Sequence, residues 1–155
     1  MKLRYCMAVL FMVVFTANSF AQKEKLDIEY DKKTDIATVN GTQVFKILKE
    51  TNASGTTYTV QSLEGKTLIT FVPVFYTDSR EVSQSNPNGR KGYNDIVFED
   101  APDVKADMIW FGMNQSIKMI YENHLIVDGK LDVEAAKLFA RKQGTVNTEK
   151  RLSAR

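Results

Sequence analysis

The chain has 155 residues, 21 of them Lys or Arg and 19 Asp or Glu, with one histidine and one cysteine. Without Lys2 and Arg4, which fall in the expected leader described below, 19 basic residues face 19 acidic ones, and the net charge is zero. That balance argues against a nucleic-acid-binding domain and against simple electrostatic attraction to anionic lipid, both of which use a basic excess. The length suffices for one well-buried core.

Residues 1–21 read as a secretory signal peptide. Lys2 and Arg4 give a positive start, residues 5–15 an apolar run, and Ser19-Phe20-Ala21 puts small residues, Ser19 and Ala21, at the −3 and −1 positions of a cleavage site. The apolar run is shorter than the roughly 18 residues or more of a membrane span. Cys6, the single cysteine, falls inside this leader, so the rest of the chain has no cysteine. Disulfides, thiolate metal ligands and a cysteine nucleophile are thereby excluded from it. A disulfide-free exported domain points to a bacterial envelope more than to animal secretion.

Residues 25–30 alternate as a short strand, and Asp31-Lys32-Lys33-Thr34 is a polar turn. Residues 35–39 and 42–49 flank Asn40-Gly41, the strongest short hairpin signal. A loop over 52–56 leads into a second hairpin, 56–77, turning at Glu64-Gly65. Its second strand is apolar on both sides, with Leu68, Val72, Val74 and Tyr76 opposite Ile69, Phe71 and Phe75. Such a strand is expected to be covered on both faces. Pro73 cannot donate to a ladder, so it predicts a bulge, a bend or an edge.

Residues 78–92 form a polar loop of the length that is usually functional or disordered. Two readings stand: a mobile solvated connection, or a partner-binding loop. For the second, the candidate residues are Tyr76, Arg80, Arg90 and Tyr93, because aromatics beside arginines resemble interface hot spots.

Residues 93–99 alternate again, residues 100–103 turn, and Val104, Ala106, Met108 and Trp110 share one face of a last strand. The period then changes. Met113, Ile117, Ile120, Tyr121 and His124 fall on one face of a helix that Asn114 is placed to cap. After a turn at Asp128-Gly129, residues 133–142 make a second helix between Asp132 and Gly144 as caps. Residues 145–155 read as a polar basic tail. The expected fold is α+β: one domain over 22–144, an antiparallel β-meander of about six or seven strands followed by two C-terminal helices packed on the sheet.

No G-x-S-x-G, H-E-x-x-H or S-x-x-K pattern is present. His124 reads as a helix-end residue more than a general base, since no partner motif accompanies it. Asp95, Glu99, Asp100, Asp103 and Asp107 crowd one stretch. They are a solvated face and turn, or the carboxylates of a hydrolase, with or without the assistance of calcium. No catalytic, cofactor-binding or metal-binding residue is assigned.

A short signal ending in Ala-Gln, hairpins of the form NGTQVFKI and SLEGKTLI, and the closing IYENHLIVDGKLDVEAAKLF resemble small exported bacterial proteins of uncharacterised function. The resemblance implies the periplasm or cell surface of a Gram-negative bacterium and carries no functional residue across. The functional expectation is a non-catalytic exported domain that binds a protein or envelope component. A carboxylate-dependent hydrolase and a carrier of hydrophobic ligands are the alternatives.

Overall fold

The computed structural model describes residues 26–154; the expected leader, residues 1–21, lies outside them. Seven strands pair in sequence order as one antiparallel sheet. They are β1 (Ile28–Asp31), β2 (Ile36–Val39), β3 (Thr42–Asn52), β4 (Gly55–Gln61), β5 (Thr67–Thr77), β6 (Arg90–Phe98) and β7 (Ala106–Met108). Three helices follow, α1 (Met113–Glu122), α2 (Val133–Gln143) and α3 (Val146–Ser153). A small hairpin, β8 (Ile126–Val127) and β9 (Lys130–Leu131), separates the first two. The fold is α+β, a meander followed by C-terminal helices. Among the described residues no helix is long and apolar enough to cross a membrane.

Local chemistry explains most element ends. Asn40 and Gly41 both have positive φ, 49° and 76°, as a primed two-residue hairpin turn requires. The Asp132 carboxylate accepts the Ala135 N–H at 2.9 Å to start α2, and Gly144 closes it. α1 begins differently from expectation. Gly112 is its N-cap, with no side-chain capping bond, and Asn114 lies inside the helix.

Strand register sorts the sheet into two faces. The inner face joins Ile47, Val60, Ile69 and Phe98 across four strands. Ile117 and Ile120 of α1 and Ala136 and Phe139 of α2 close this core. Phe139 meets Phe98 edge to face at 6.5 Å. The opposite, outer face carries Thr70, Val72, Tyr93, Asp95 and Asp107.

β5 is not covered on both faces. A register shift at Val60/Gln61 gives β5 an extra residue opposite β4. Leu68 therefore joins Ile69 in the core, both fully buried, while Val72 on the outer face is 38 % exposed.

Pro73 marks an edge and causes no bulge. The β5–β6 ladder runs unbroken through Pro73↔Asn94 to Thr77↔Arg90, whereas the β4–β5 ladder stops at Tyr58↔Phe71. Alternate residues of an antiparallel strand bond to alternate sides. The Leu68 carbonyl accepts the Glu99 N–H on the β6 side, so the Pro73 nitrogen points towards β4. The next β4–β5 bond would need a proton that Pro73 lacks. Beyond that point residues 74–77 and 90–93, which pair with neither β4 nor β7, form a two-stranded arm.

Residues 145–155 depart from the expected tail: Val146–Ser153 is helical and sits on the outer face, so three helices follow the sheet instead of two. No residue of α3 is buried, which is why no apolar period marks it in the sequence.

His124 follows the C-cap of α1 in a left-handed conformation, φ 51°. Its N–H donates to the Tyr121 carbonyl and the Leu125 N–H to the Ile120 carbonyl, the bonding pattern that glycine serves best. The left-handed penalty, less the extra unfolded entropy of glycine, predicts that His124→Gly stabilises the fold by about 0.5–1 kcal/mol. A higher thermal midpoint for His124→Gly but not for His124→Ala is the expected result.

Candidate functional site

The long loop is shorter and more built than the sequence implies. β5 and β6 pair to Thr77↔Arg90, so only residues 78–89 lie outside the ladder. Asp78 starts a 3₁₀ turn (Ser79–Glu81) by accepting the Arg80 N–H at 3.0 Å. The Asp78 N–H donates to the Gly89 carbonyl at 2.9 Å. Asn86 ties the loop across: its amide donates to the carbonyls of Glu81 and Arg90, and its Oδ1 accepts the Arg90 N–H.

Two ion pairs decorate this tip. Arg80 grips Asp78 with Nε and Nη2 at 2.9 and 2.8 Å. These bonds hold the Asp78 carboxyl below its ordinary range. Lys91 meets Glu81 at 2.9 Å, and that bond raises Lys91.

Three of the four candidate residues converge. Tyr76, Arg80 and Tyr93 line a cavity of about 390 Å³ on the outer face, with Lys91, Ile109 and the α3 residues Asn147, Lys150 and Ser153. Tyr76 and Tyr93 meet edge to face at 6.2 Å. Arg90 does not join them. Strand alternation sends it to the inner face, where its guanidinium lies 4.4 Å above the Phe75 ring. That ring lies across Gly92 and Gly55: a Cβ on either would stand 2.8 Å from a ring carbon. Both glycines are needed for the ring to lie flat. Sequence reasoning missed this platform and the α3 wall. The parity of Arg90 against Tyr93 was the available signal for the first.

The α3 wall is held by Asp107. Its Oδ1 accepts the Asn147 N–H and side-chain amide at 3.1 and 2.7 Å, and Oδ2 accepts the Thr148 N–H at 2.7 Å. A strand carboxylate thus does the work of an N-cap side chain, which Thr145 does not provide. Thr148 Oγ1 adds a bond to the Tyr93 hydroxyl at 3.2 Å. Burial pushes the Asp107 carboxyl up, but bonds from Thr148 and Asn147 outweigh it and leave it below the ordinary aspartate value. Asp95, directly opposite on β6, shifts the other way. Burial and then the Asp107 charge raise it, against partial relief from Arg151, Thr148 and Lys105.

The five crowded carboxylates do not form one site. Asp95 and Asp107 share the outer face. Glu99 accepts from Thr70, Asp100 pairs with Lys66 at 2.8 Å, and Asp103 is exposed. Among the described residues no three His, Cys, Asp or Glu side chains converge as a metal-ligand set. His124, exposed at the end of α1, has no hydrogen-bonded side-chain partner among them.

No protein-family model, no curated protein and no solved structure matches this chain.

The two aspartates have opposite pH signatures. Asp107, lowered on folding, stabilises above the ordinary aspartate value of about 3.9 and loses that effect as pH falls through its folded value. Asp95, raised on folding, costs stability as pH rises from about 3.9 through its folded value. Asp95→Asn should therefore raise the thermal midpoint at about pH 7 and leave it unchanged at about pH 3. Asp107→Ala should weaken α3 docking by about 1–3 kcal/mol, read as faster amide exchange at Asn147 and Thr148 while β3–β5 amides keep their protection.

Proposed function

We propose that the protein is an exported, non-catalytic domain that binds a protein or other envelope component through the β5–β6 arm. One observation carries this reading: the arm outruns the β4 ladder and presents recognition chemistry on both faces. Phe75, 47 % exposed, lies on one face under Arg90. The cavity lined by Tyr76, Arg80 and Tyr93 opens on the other. Aromatic and arginine side chains on a projecting element are the composition of interface hot spots. The leader pattern of residues 1–21 supports export to the periplasm or surface.

The alternatives have less behind them. Asp107 is occupied by the α3 amides and is 1 % exposed, so the carboxylate stretch offers a hydrolase no free acid–base pair. The space between sheet and helices is filled by Phe45, Phe71, Phe98, Ile117 and Ile120, all fully or almost fully buried. A recess of about 360 Å³ remains beside Phe45 and Tyr121, but Gln43, Glu64 and Asp128 also line it, which does not suit a hydrophobic ligand.

The test is quantitative capture from an envelope extract with wild type, the arm variants Phe75→Ser and Tyr76→Ala, and Leu138→Ser, an exposed position on α2. A hot-spot loss of about 2 kcal/mol means roughly 30-fold weaker capture by the arm variants, with Leu138→Ser unchanged. Equal capture by all four, or no specific capture by wild type, refutes the reading.

A further inference from the structure

The cavity between the arm and α3 has a rim whose charges do not cancel. Five charged side chains line it: Arg80, Lys91, Lys150, Asp78 and Glu81. Both carboxylates are engaged, Asp78 by Arg80 and Glu81 by Lys91. Lys150 has no carboxylate partner among the described residues. Beside it stand the apolar bodies of Tyr76, Tyr93 and the half-exposed Ile109.

We propose that this cavity receives an acidic side chain of a partner polypeptide, its carboxylate on Lys150 and an adjoining apolar residue on Ile109 and Tyr76. The inference rests on the binding-domain reading above and names the chemistry of the partner segment. The charge count favours a carboxylate over a phosphate group. A phosphate carries about −1.5 to −2 charges and is matched best by a free guanidinium fork. Among the described lining residues the only guanidinium, that of Arg80, already has its fork on Asp78, which leaves a single ammonium for a single negative charge. Ile109 and the tyrosines supply the apolar contact that a lone surface lysine lacks. Because Lys150 is delivered by α3, whose N-terminus rests on Asp107, the segment binds only the docked helix and stabilises it in turn.

The test uses ¹⁵N-labelled full-length protein and three synthetic hexapeptides, one with a Glu-Leu pair among Gly and Ser, the others with Gln-Leu or Glu-Ser. The Glu-Leu peptide should shift the amides of Lys91, Asn147 and Lys150 with a dissociation constant below about 1 mM, more weakly at higher salt. Lys150→Gln, Asp107→Ala and the Gln-Leu peptide should each weaken binding at least tenfold. Unchanged affinity in Lys150→Gln, absence of shifts, or tighter binding of inorganic phosphate than of the Glu-Leu peptide would overturn the proposal. The extract capture separates the two readings. If Phe75→Ser loses the partner while Lys150→Gln keeps it at all salt concentrations, the acidic-segment proposal alone falls. If Phe75→Ser, Tyr76→Ala and Lys150→Gln all retain the partner, the binding-domain reading falls with it.

Discussion

The carboxylate of Asp107 joins the two faces of the sheet. Its chain neighbours Ala106 and Met108 belong to the inner core with α1 and α2. Asp107 points the other way and receives the first amides of α3. α3 has eight residues and buries none of them. That is below the roughly 12–15 residues at which an isolated helix becomes even marginal in water. Neither propensity nor apolar packing accounts for it, so its structure depends on the cap and on the few polar contacts around Thr148. The outer wall of the cavity, with Lys150 in it, exists because one strand carboxylate is ionised and sheltered.

Placing Asp95 opposite that carboxylate has a cost. Like charges paired directly across strands destabilise a sheet. The arrangement persists because the donors are shared unequally. The α3 amides, carrying the positive end of the helix dipole, go to Asp107. Asp95 has only a long contact to Thr148 at 3.5 Å and the more distant charges of Arg151 and Lys105. The two carboxyls are therefore pushed in opposite directions. In an active site such divergence would identify an acid and a base. Here the lower member is sealed under a helix, and the divergence reports how the helix is fastened.

What was legible in the sequence was local. Asn40-Gly41, Asp132 and Gly144 act on their own neighbours, so their consequences could be read residue by residue. The meander followed from strand after strand joined by turns, with no crossover to infer. What failed needed register. Simple alternation puts Leu68 on the face of Val72, and the shift at Val60/Gln61 moves it into the core. Arg90 and Tyr93 both border the loop, yet they stand three residues apart on one strand and so on opposite faces. α3 was invisible for a different reason. Its cap lies 38 residues before its N-terminal flank Thr145, and its docking face is polar. Apolar periodicity has nothing to detect there.

The arm raises the question of why its free edge is not a liability. Beyond Phe71, β5 has no partner on the β4 side, and an unpaired edge invites strand addition. Three features oppose that. Pro73 removes a donor from the edge. Gly55, at the start of β4, stands close enough to the Pro73 and Phe75 side chains that a Cβ there would meet both within 3.0 Å, so the chain itself crowds the edge. Arg90 then covers the Phe75 ring with a charge. A strand added to β5 would have to displace β4's first residue and still lack one hydrogen bond. The β5 edge of the arm is thereby closed to sheet extension, while the arm's faces stay open to recognition by side chains. This is why the two faces, with Phe75 and Arg90 on one and the Lys150 cavity on the other, are where its binding chemistry lies.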